Sequence, residues 1–177
     1  MKKICLVYPE CYEVAKFGNK RKEFPPFGVM YLASALEKEN YDVKIIATSN
    51  DNNCFDFKDF DIVGFSISSS LAYPLIKETR ENSIFKANSL IIAGGIHASL
   101  YPNEVIKDLD CDIVSIGEGE KTIVEIAKST SLDDISEIKG IYYKKDNSIY
   151  VTEKRNDINE LDSLAFPARH LLPKEDI

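Results

Sequence analysis

Five short apolar runs alternate with helical patterns through the first two thirds of this chain, and no other feature narrows its fold so far. The runs are Lys3 to Tyr8, Val43 to Ala47, Ile62 to Phe65, Leu90 to Ala93 and Ile113 to Ile116. Each is bounded by polar punctuation and carries apolar residues at consecutive positions, as a strand does when both its faces are covered. Between the first two, Val29, Leu32, Ala33 and Leu36 recur at i, i+3, i+4 and i+7, one stripe of a helix facing a sheet. Pro25-Pro26 suits the opening of that helix. Asn40-Tyr41 suits its close, with Asn left-handed at C′ and Tyr41 packing back. Further helices are predicted over Tyr73 to Phe85, Pro102 to Leu109 and Glu118 to Ser129. The first has Pro74 in its first turn and Leu75, Thr79 and Asn82 or Ser83 on one face. In the last, Ile123, Ile126 and Ala127 turn inward. Right-handed crossovers then give an α/β, flavodoxin-like (Rossmann-like), doubly wound five-stranded parallel sheet.

After Ser131 the period changes. Gly140 to Tyr143 and Ser148 to Val151 flank Asp146-Asn147, which suits a tight hairpin turn. A β-hairpin appendage at the sheet edge is therefore expected. The chain divides into residues 1–131 as the α/β domain, 132–153 as the hairpin extension and 154–177 as a linker. The tail from Leu161 onward is expected to add little to the core.

Of the 177 residues, 44% are hydrophobic and 29% charged, the balance of a globular domain able to bury a core. No apolar stretch approaches the ~20 residues of a membrane span. The apolar start is too short for a secretory signal, so a cytoplasmic protein is expected. A net charge of -7 argues against a nucleic-acid surface, which needs a basic field. The cysteines at 5, 11, 54 and 111 lack Cys-x-x-Cys spacing and do not cluster with His97 or His170, so no metal site is expected. Cys5, inside the first strand, reads as a small buried apolar residue.

In the strand order 2-1-3-4-5, a crevice opens at the carboxyl ends of strands one and three. Four loops converge there. Pro9 to Glu23 is unusually long for a connection, which favours a functional role. Ser66-Ile67-Ser68-Ser69-Ser70 offers hydroxyls that could meet a ligand or simply cap a turn. Gly94-Gly95-Ile96-His97 permits a tight turn against bare backbone. Gly117-Glu118-Gly119-Glu120 opens a helix whose free amides could take a phosphate or a ribose hydroxyl, while its glutamates could serve the helix dipole alone.

Several familiar ligand loops are missing. A phosphoacceptor domain needs acidic residues after strand one and an Asp after strand three, where this chain has Tyr8-Pro9-Glu10 and Ser66. Neither the Gly-x-Gly-x-x-Gly dinucleotide fingerprint nor a Thr- and Gly-rich flavin phosphate loop follows strand one. What does match is Pro25-Pro26-Phe27-Gly28, Asp61 to Ser66, Gly94-Gly95-Ile96-His97, Asp112 to Glu120 and Leu161 to Ala168. In this order the pieces closely resemble the N-terminal cobalamin-binding domain of cobalamin-dependent radical S-adenosylmethionine enzymes.

That resemblance implies cobalamin as cofactor, with Ser66, Ser68 and Ser69 lining a slot for its nucleotide tail. Gly94 and Gly95 would lie against the dimethylbenzimidazole. Gly117, Glu118, Gly119 and Glu120 would meet the ribose and phosphate, and the Pro9 to Glu23 loop would lie near the corrin's lower face. A side chain at Gly95 is expected to block binding while leaving the fold intact. No Asp-x-His-x-x-Gly segment follows strand one, so cobalamin is expected base-off with no protein histidine ligand, and His97 is expected to bond backbone or the tail instead. The Cys-x-x-x-Cys-x-x-Cys cluster is absent, so this chain alone is not expected to be catalytic. S-adenosylmethionine and a 4Fe-4S cluster are expected only in a downstream radical S-adenosylmethionine domain, the partner of this one in a methyltransferase or cyclase. The alternative is a flavodoxin-like interaction module that lacks cobalamin or binds another nucleotide cofactor.

Overall fold

The computed structural model describes residues 1–10 and 25–172. Most of the Pro9 to Glu23 loop, Cys11 and the segment 173–177 lie outside the described residues. In chain order the elements are β1 (Lys3–Pro9), α1 (Phe27–Lys38), β2 (Asp42–Thr48), β3 (Asp56–Phe57), β4 (Ile62–Ser66), α2 (Tyr73–Asn82), β5 (Ile84–Phe85), β6 (Leu90–Gly94), α3 (Ile96–Leu100), α4 (Pro102–Asp108), β7 (Ile113–Ser115), α5 (Glu120–Lys128), α6 (Leu132–Ser136), β8 (Ile141–Lys145) and β9 (Ser148–Val151). The main sheet runs β2-β1-β4-β6-β7-β8-β9. Its first five members are parallel, and β8 and β9 continue it antiparallel.

Alternation along each strand divides the core in two. Ile4, Leu6 and Tyr8 of β1, with Ile62, Ile92 and Ile113 below the same face, pack against Val29, Met30, Ala33 and Leu36 of α1 and Ile123, Ile126 and Ala127 of α5. Cys5, Val7, Val63, Phe65, Ile91, Ala93 and Val114 point the other way, onto Ile76 of α2 and Val105 and Ile106 of α4. Burial on both faces is what the uninterrupted apolar runs require.

α1 ends as its sequence dictates. Asn40 takes φ 62, its N–H donates to the Glu37 carbonyl at 2.9 Å, and Tyr41 N–H reaches back to the Leu36 carbonyl at 3.2 Å. This pair of bonds closes a Schellman motif. The hairpin turn is equally local: Asp146 and Asn147 sit at φ 49 and φ 60, the two positive values a type I′ turn needs.

Two helical expectations are corrected. α2 stops at Asn82 and Ser83 is extended, because Ile84–Phe85 pairs in parallel with Asp56–Phe57 as a small second sheet. Phe85 lies 5.3 Å from Phe57, 6.4 Å from Phe65 and under the Arg80 guanidinium at 4.4 Å. Aromatic burial thus overrides helix continuation. The inward face of α2 is Ile76 and Thr79, not Leu75. Two short helices, α3 and α6, were not legible; α6 is started by a capping box between Ser131 and Asp134.

The tail is also corrected. Ala168 and Leu172 are 2% and 6% exposed, Ile158 is 8%, and Ala168 N–H donates to the Met30 carbonyl at 3.1 Å. Phe166, at 94%, stays in solvent. The segment is laid across α1 and completes the core on that side.

Burial separates the described cysteines as well. Desolvation pushes the Cys5 and Cys111 thiols up to about 12, whereas Cys54 is exposed. A thiol-alkylating reagent at pH 8 is expected to modify Cys54 readily and to leave Cys5 and Cys111 untouched until denaturant is added, because only an accessible thiolate reacts. Peptide mass mapping before and after unfolding checks this. Labelling of Cys5 in the native protein would contradict the burial of β1.

Candidate functional site

The crevice forms where side chains shrink along one face of the sheet. On the α1/α5 face, successive positions run Ile62, Gly64, Ser66 in β4; Ile92, Gly94 in β6; and Ile113, Ser115 in β7. Each strand ends small at its carboxyl end, so the sheet recedes from the helices just where the loops converge. The resulting cavity, about 200 Å³, is bounded by Leu6, Phe65, Ile92 and Ala93 of the sheet, by Gly28, Val29 and Leu32 of α1, and by Ile123 and Ile126 of α5. Gly94, Gly95, Gly117, Glu118, Gly119 and Glu120 close its rim.

The glycines divide by what surrounds them. A Cβ at Gly28 or Gly117 would meet nothing within 4 Å, so those positions face open space. At Gly119 it would come within 2.9 Å of Leu32 Cδ2, so this glycine lets α5 approach α1. Gly95 adopts φ 102 and ψ -178, a region essentially reserved to glycine, and its Cβ would sit 2.6 Å from the Ile67 carbonyl oxygen.

Two oxygens in this cavity are buried without a hydrogen-bond partner among the described residues, Ser115 Oγ and Glu120 Oε2. A buried polar atom without a partner costs about 1–3 kcal/mol, a cost that a ligand supplying the missing bond removes. An apolar slot with glycine at its rim and such oxygens among its lining residues suits the part of a ligand that presents both apolar surface and polar atoms. α5 also begins here, with no side chain capping its first amides and with Glu120 in its first turn.

Of the residues named from sequence, Ser66, Gly94, Gly95, Gly117, Glu118, Gly119 and Glu120 come together around the cavity. Ser68, Ser69 and His97 are not among its lining residues. Ser69 Oγ accepts from Ala72 N–H at 3.3 Å and shapes the turn into α2. His97 is 8% exposed; its ring lies 4.5 Å from that of Tyr73 and 5.1 Å from that of Tyr101, with Nδ1 2.9 Å from Ser70 Oγ. Its backbone N–H donates to the Ile67 carbonyl at 3.1 Å. Gly28, Leu32, Gly64 and Ser115 were missed. For Gly64 and Ser115 the signal was present as parity: in β4, β6 and β7 the last residue on the α1/α5 face is Gly or Ser.

A mostly parallel sheet with its crevice at the carboxyl ends and small residues at its base defines a Rossmann-like ligand-binding domain, and solved structures share that fold. The radical S-adenosylmethionine methyltransferase TsrM from Kitasatospora setae, with tryptophan substrate and a S-adenosylmethionine analog bound, matches with a TM-score of 0.65 at 18% identity, over 86% of this chain and 30% of that one. The same enzyme with cobalamin and a 4Fe-4S cluster bound gives 0.59 at 15% identity, over 94% and 31%. The B12 binding domain family matches residues 17–127, and the chain belongs to that family.

Among curated relatives, an uncharacterized methyltransferase of Pyrococcus horikoshii is 30% identical over 160 residues, which span 85% of this chain and 35% of the relative. The anaerobic magnesium-protoporphyrin IX monomethyl ester cyclase of Cereibacter sphaeroides is 25% identical, over 80% of this chain and 25% of its own. The cytidylyl-2-hydroxyethylphosphonate methyltransferase of Streptomyces wedmorensis is 26% identical, over 82% and 36%. The chain therefore spans only 25% to 36% of the length of these relatives. No described helix is long and apolar enough to cross a membrane.

Proposed function

We propose that this chain is the cobalamin-holding domain of a larger cobalamin-dependent radical S-adenosylmethionine enzyme, of methyltransferase or cyclase type. Family membership supports the cofactor, and the names of the relatives support the enzyme class. The observation that carries the reading to particular residues is the glycine-rimmed crevice with Ser115 Oγ and Glu120 Oε2 unpartnered inside it. Ser66, Gly94 and Gly95 would hold the nucleotide tail against bare backbone, and Gly117, Gly119 and Glu120 would meet its ribose and phosphate. Ser115 and Glu120 would gain the hydrogen bonds they lack. Cobalamin, when bound, supplies methyl-transfer chemistry. S-adenosylmethionine and the iron-sulfur cluster belong, in this reading, to a separate domain, since the cysteines at 5, 11, 54 and 111 lie too far apart in sequence to form the cluster motif.

In this reading cobalamin is held base-off without a protein nitrogen under the cobalt, and the engagement of both histidines elsewhere supports the second half of that expectation. The ring of His97 is engaged by Ser70, Tyr73 and Tyr101, and His170 Nε2 lies 2.9 Å from Glu37 Oε1, at the opposite end of α1 from Gly28. Electron paramagnetic resonance of the Co(II) form is therefore expected to show no nitrogen triplet. A triplet that vanishes in His97→Ala would reverse the assignment.

Hydroxocobalamin incubated with the chain and then desalted is expected to leave stoichiometric corrin absorbance on the protein. A colourless protein under both aerobic and reducing conditions would sink the proposal and favour an interaction module. Gly28→Leu sharpens the test. Position 28 lies in the first turn of α1, where replacing Gly gains up to about 1 kcal/mol of helix propensity. The new side chain enters open crevice space. Corrin retention is expected to fall at least tenfold while the melting temperature holds or rises.

A further inference from the structure

The segment that follows the hairpin touches both walls of the crevice. On one side Ile158 N–H donates to Glu118 Oε2 at 2.6 Å, and Arg155 pairs with Glu125 of α5 and donates to the Lys139 carbonyl at 3.2 Å. On the other, Ala168 N–H donates to the Met30 carbonyl at 3.1 Å and the Arg169 guanidinium lies 5.4 Å over the Phe27 ring, while His170 meets Glu37 at the far end of α1. Met30 and Phe27 belong to the turn of α1 that carries Gly28 and Val29. Glu118 belongs to the loop between β7 and α5. One continuous stretch of chain thus holds the α1 wall and the loop wall at once.

We infer that residues 155–172 form a clasp that sets the width of the crevice, and that Glu118 is a positioning residue of this clasp and not a ligand contact. The inference rests on the cobalamin reading for the identity of the ligand, but not for the mechanics. A carboxylate accepting a 2.6 Å bond from a backbone N–H, here in a half-buried setting, is a charge-assisted contact, shorter and stronger than a neutral one. Glu118 sits at the cavity rim, and this bond ties the Gly117 to Gly119 backbone to the clasp. Two glycines give that loop little stiffness of its own, and Gly117 at φ 76 is otherwise tied by its N–H to Ser99 Oγ at 3.0 Å. Any ligand that needs the walls at one separation is coupled to the clasp, and by linkage the clasp is coupled to the ligand.

The test uses amide hydrogen exchange and hydroxocobalamin titration on the parent, Glu118→Ala and Glu118→Gln. Glu118→Gln keeps an acceptor for Ile158 and is expected to bind within about twofold of the parent. Glu118→Ala is expected to weaken binding at least fivefold and to speed exchange at Gly117 and in the first turn of α1 in the ligand-free protein. In the parent, hydroxocobalamin is expected to slow exchange at Ala168, which is not among the residues lining the cavity. Arg169→Ala/His170→Ala changes only exposed side chains and tests the α1 side if Glu118→Ala proves unstable. Equal affinity in the parent and the clasp variants overturns the clasp while leaving the cobalamin reading intact. If the parent itself retains no corrinoid, the cobalamin reading falls. The clasp is then judged on exchange alone, and unchanged rates at Gly117 and α1 in Glu118→Ala overturn it.

Discussion

Gly95→Ala is expected to destabilise the protein by on the order of 3 kcal/mol and to lower its melting temperature by roughly 6–12 °C, a large share of the 5–15 kcal/mol that holds a domain folded. Two effects add. A φ of 102 with ψ near 180° costs a side-chain-bearing residue about 1–3 kcal/mol. The new Cβ would also sit 2.6 Å from the backbone oxygen of Ile67, an overlap relieved only by moving the backbone just after β4 or the start of α3. Gly94→Ala is the matched control, because its Cβ would lie 3.7 Å from Ser115 Cβ, an ordinary contact. Thermal unfolding followed by circular dichroism separates the pair. Equal melting temperatures would mean that the turn after β6 does not have this conformation. The expectation that a side chain at Gly95 blocks binding and spares the fold is therefore replaced. Gly28 and Gly94 are the positions at which binding and folding can be read apart.

A chain ending at Asp157 is expected to melt roughly 10 °C lower than the parent. The tail buries Ile158 and Leu172, each worth about 1.5–3 kcal/mol when removed from water, and Ala168 fills the gap beside Met30. The loss falls on the α1 side, so α1 is the element expected to lose exchange protection first. A melting temperature within 2 °C of the parent would show the tail to be a passenger on the surface.

The sheet was legible because its strands are buried twice over. Consecutive apolar residues in runs such as Ile62-Val63 and Ile91-Ile92-Ala93 leave no other element that could cover both sides, and the left-handed Asn40 and the Asp146-Asn147 turn are set by residues that tolerate positive φ. What could not be read depended on contacts distant in sequence. Ile84–Phe85 left the helix for a partner nearly thirty residues earlier, Asp56–Phe57, drawn by aromatic rings whose meeting no local pattern announces. Leu172 and Ala168 joined the core from a stretch whose prolines and charges read as a linker. In the site, loops rich in Gly and Ser were visible as motifs. The floor was not, because Gly64 and Ser115 belong to strands, and only the side they face relative to α1 and α5 makes them part of a cavity. His97 stood out as the histidine of its motif, yet its ring packs at tilted angles between Tyr73 and Tyr101 and is not among the residues lining the cavity.

The number of strands after β7 determines where the chain comes out. β7 runs toward the crevice, β8 reverses, and β9 reverses again, so the polypeptide leaves the sheet heading the same way as the parallel strands. A single added strand would have released it at the opposite, amino-terminal edge, beside Asp61 and Lys86. By parity alone, the paired reversal brings the residues that directly follow Val151 to the rim where a ligand would enter. Thr152, Lys154 and Arg155 accordingly line a depression together with Gly117 and Glu118.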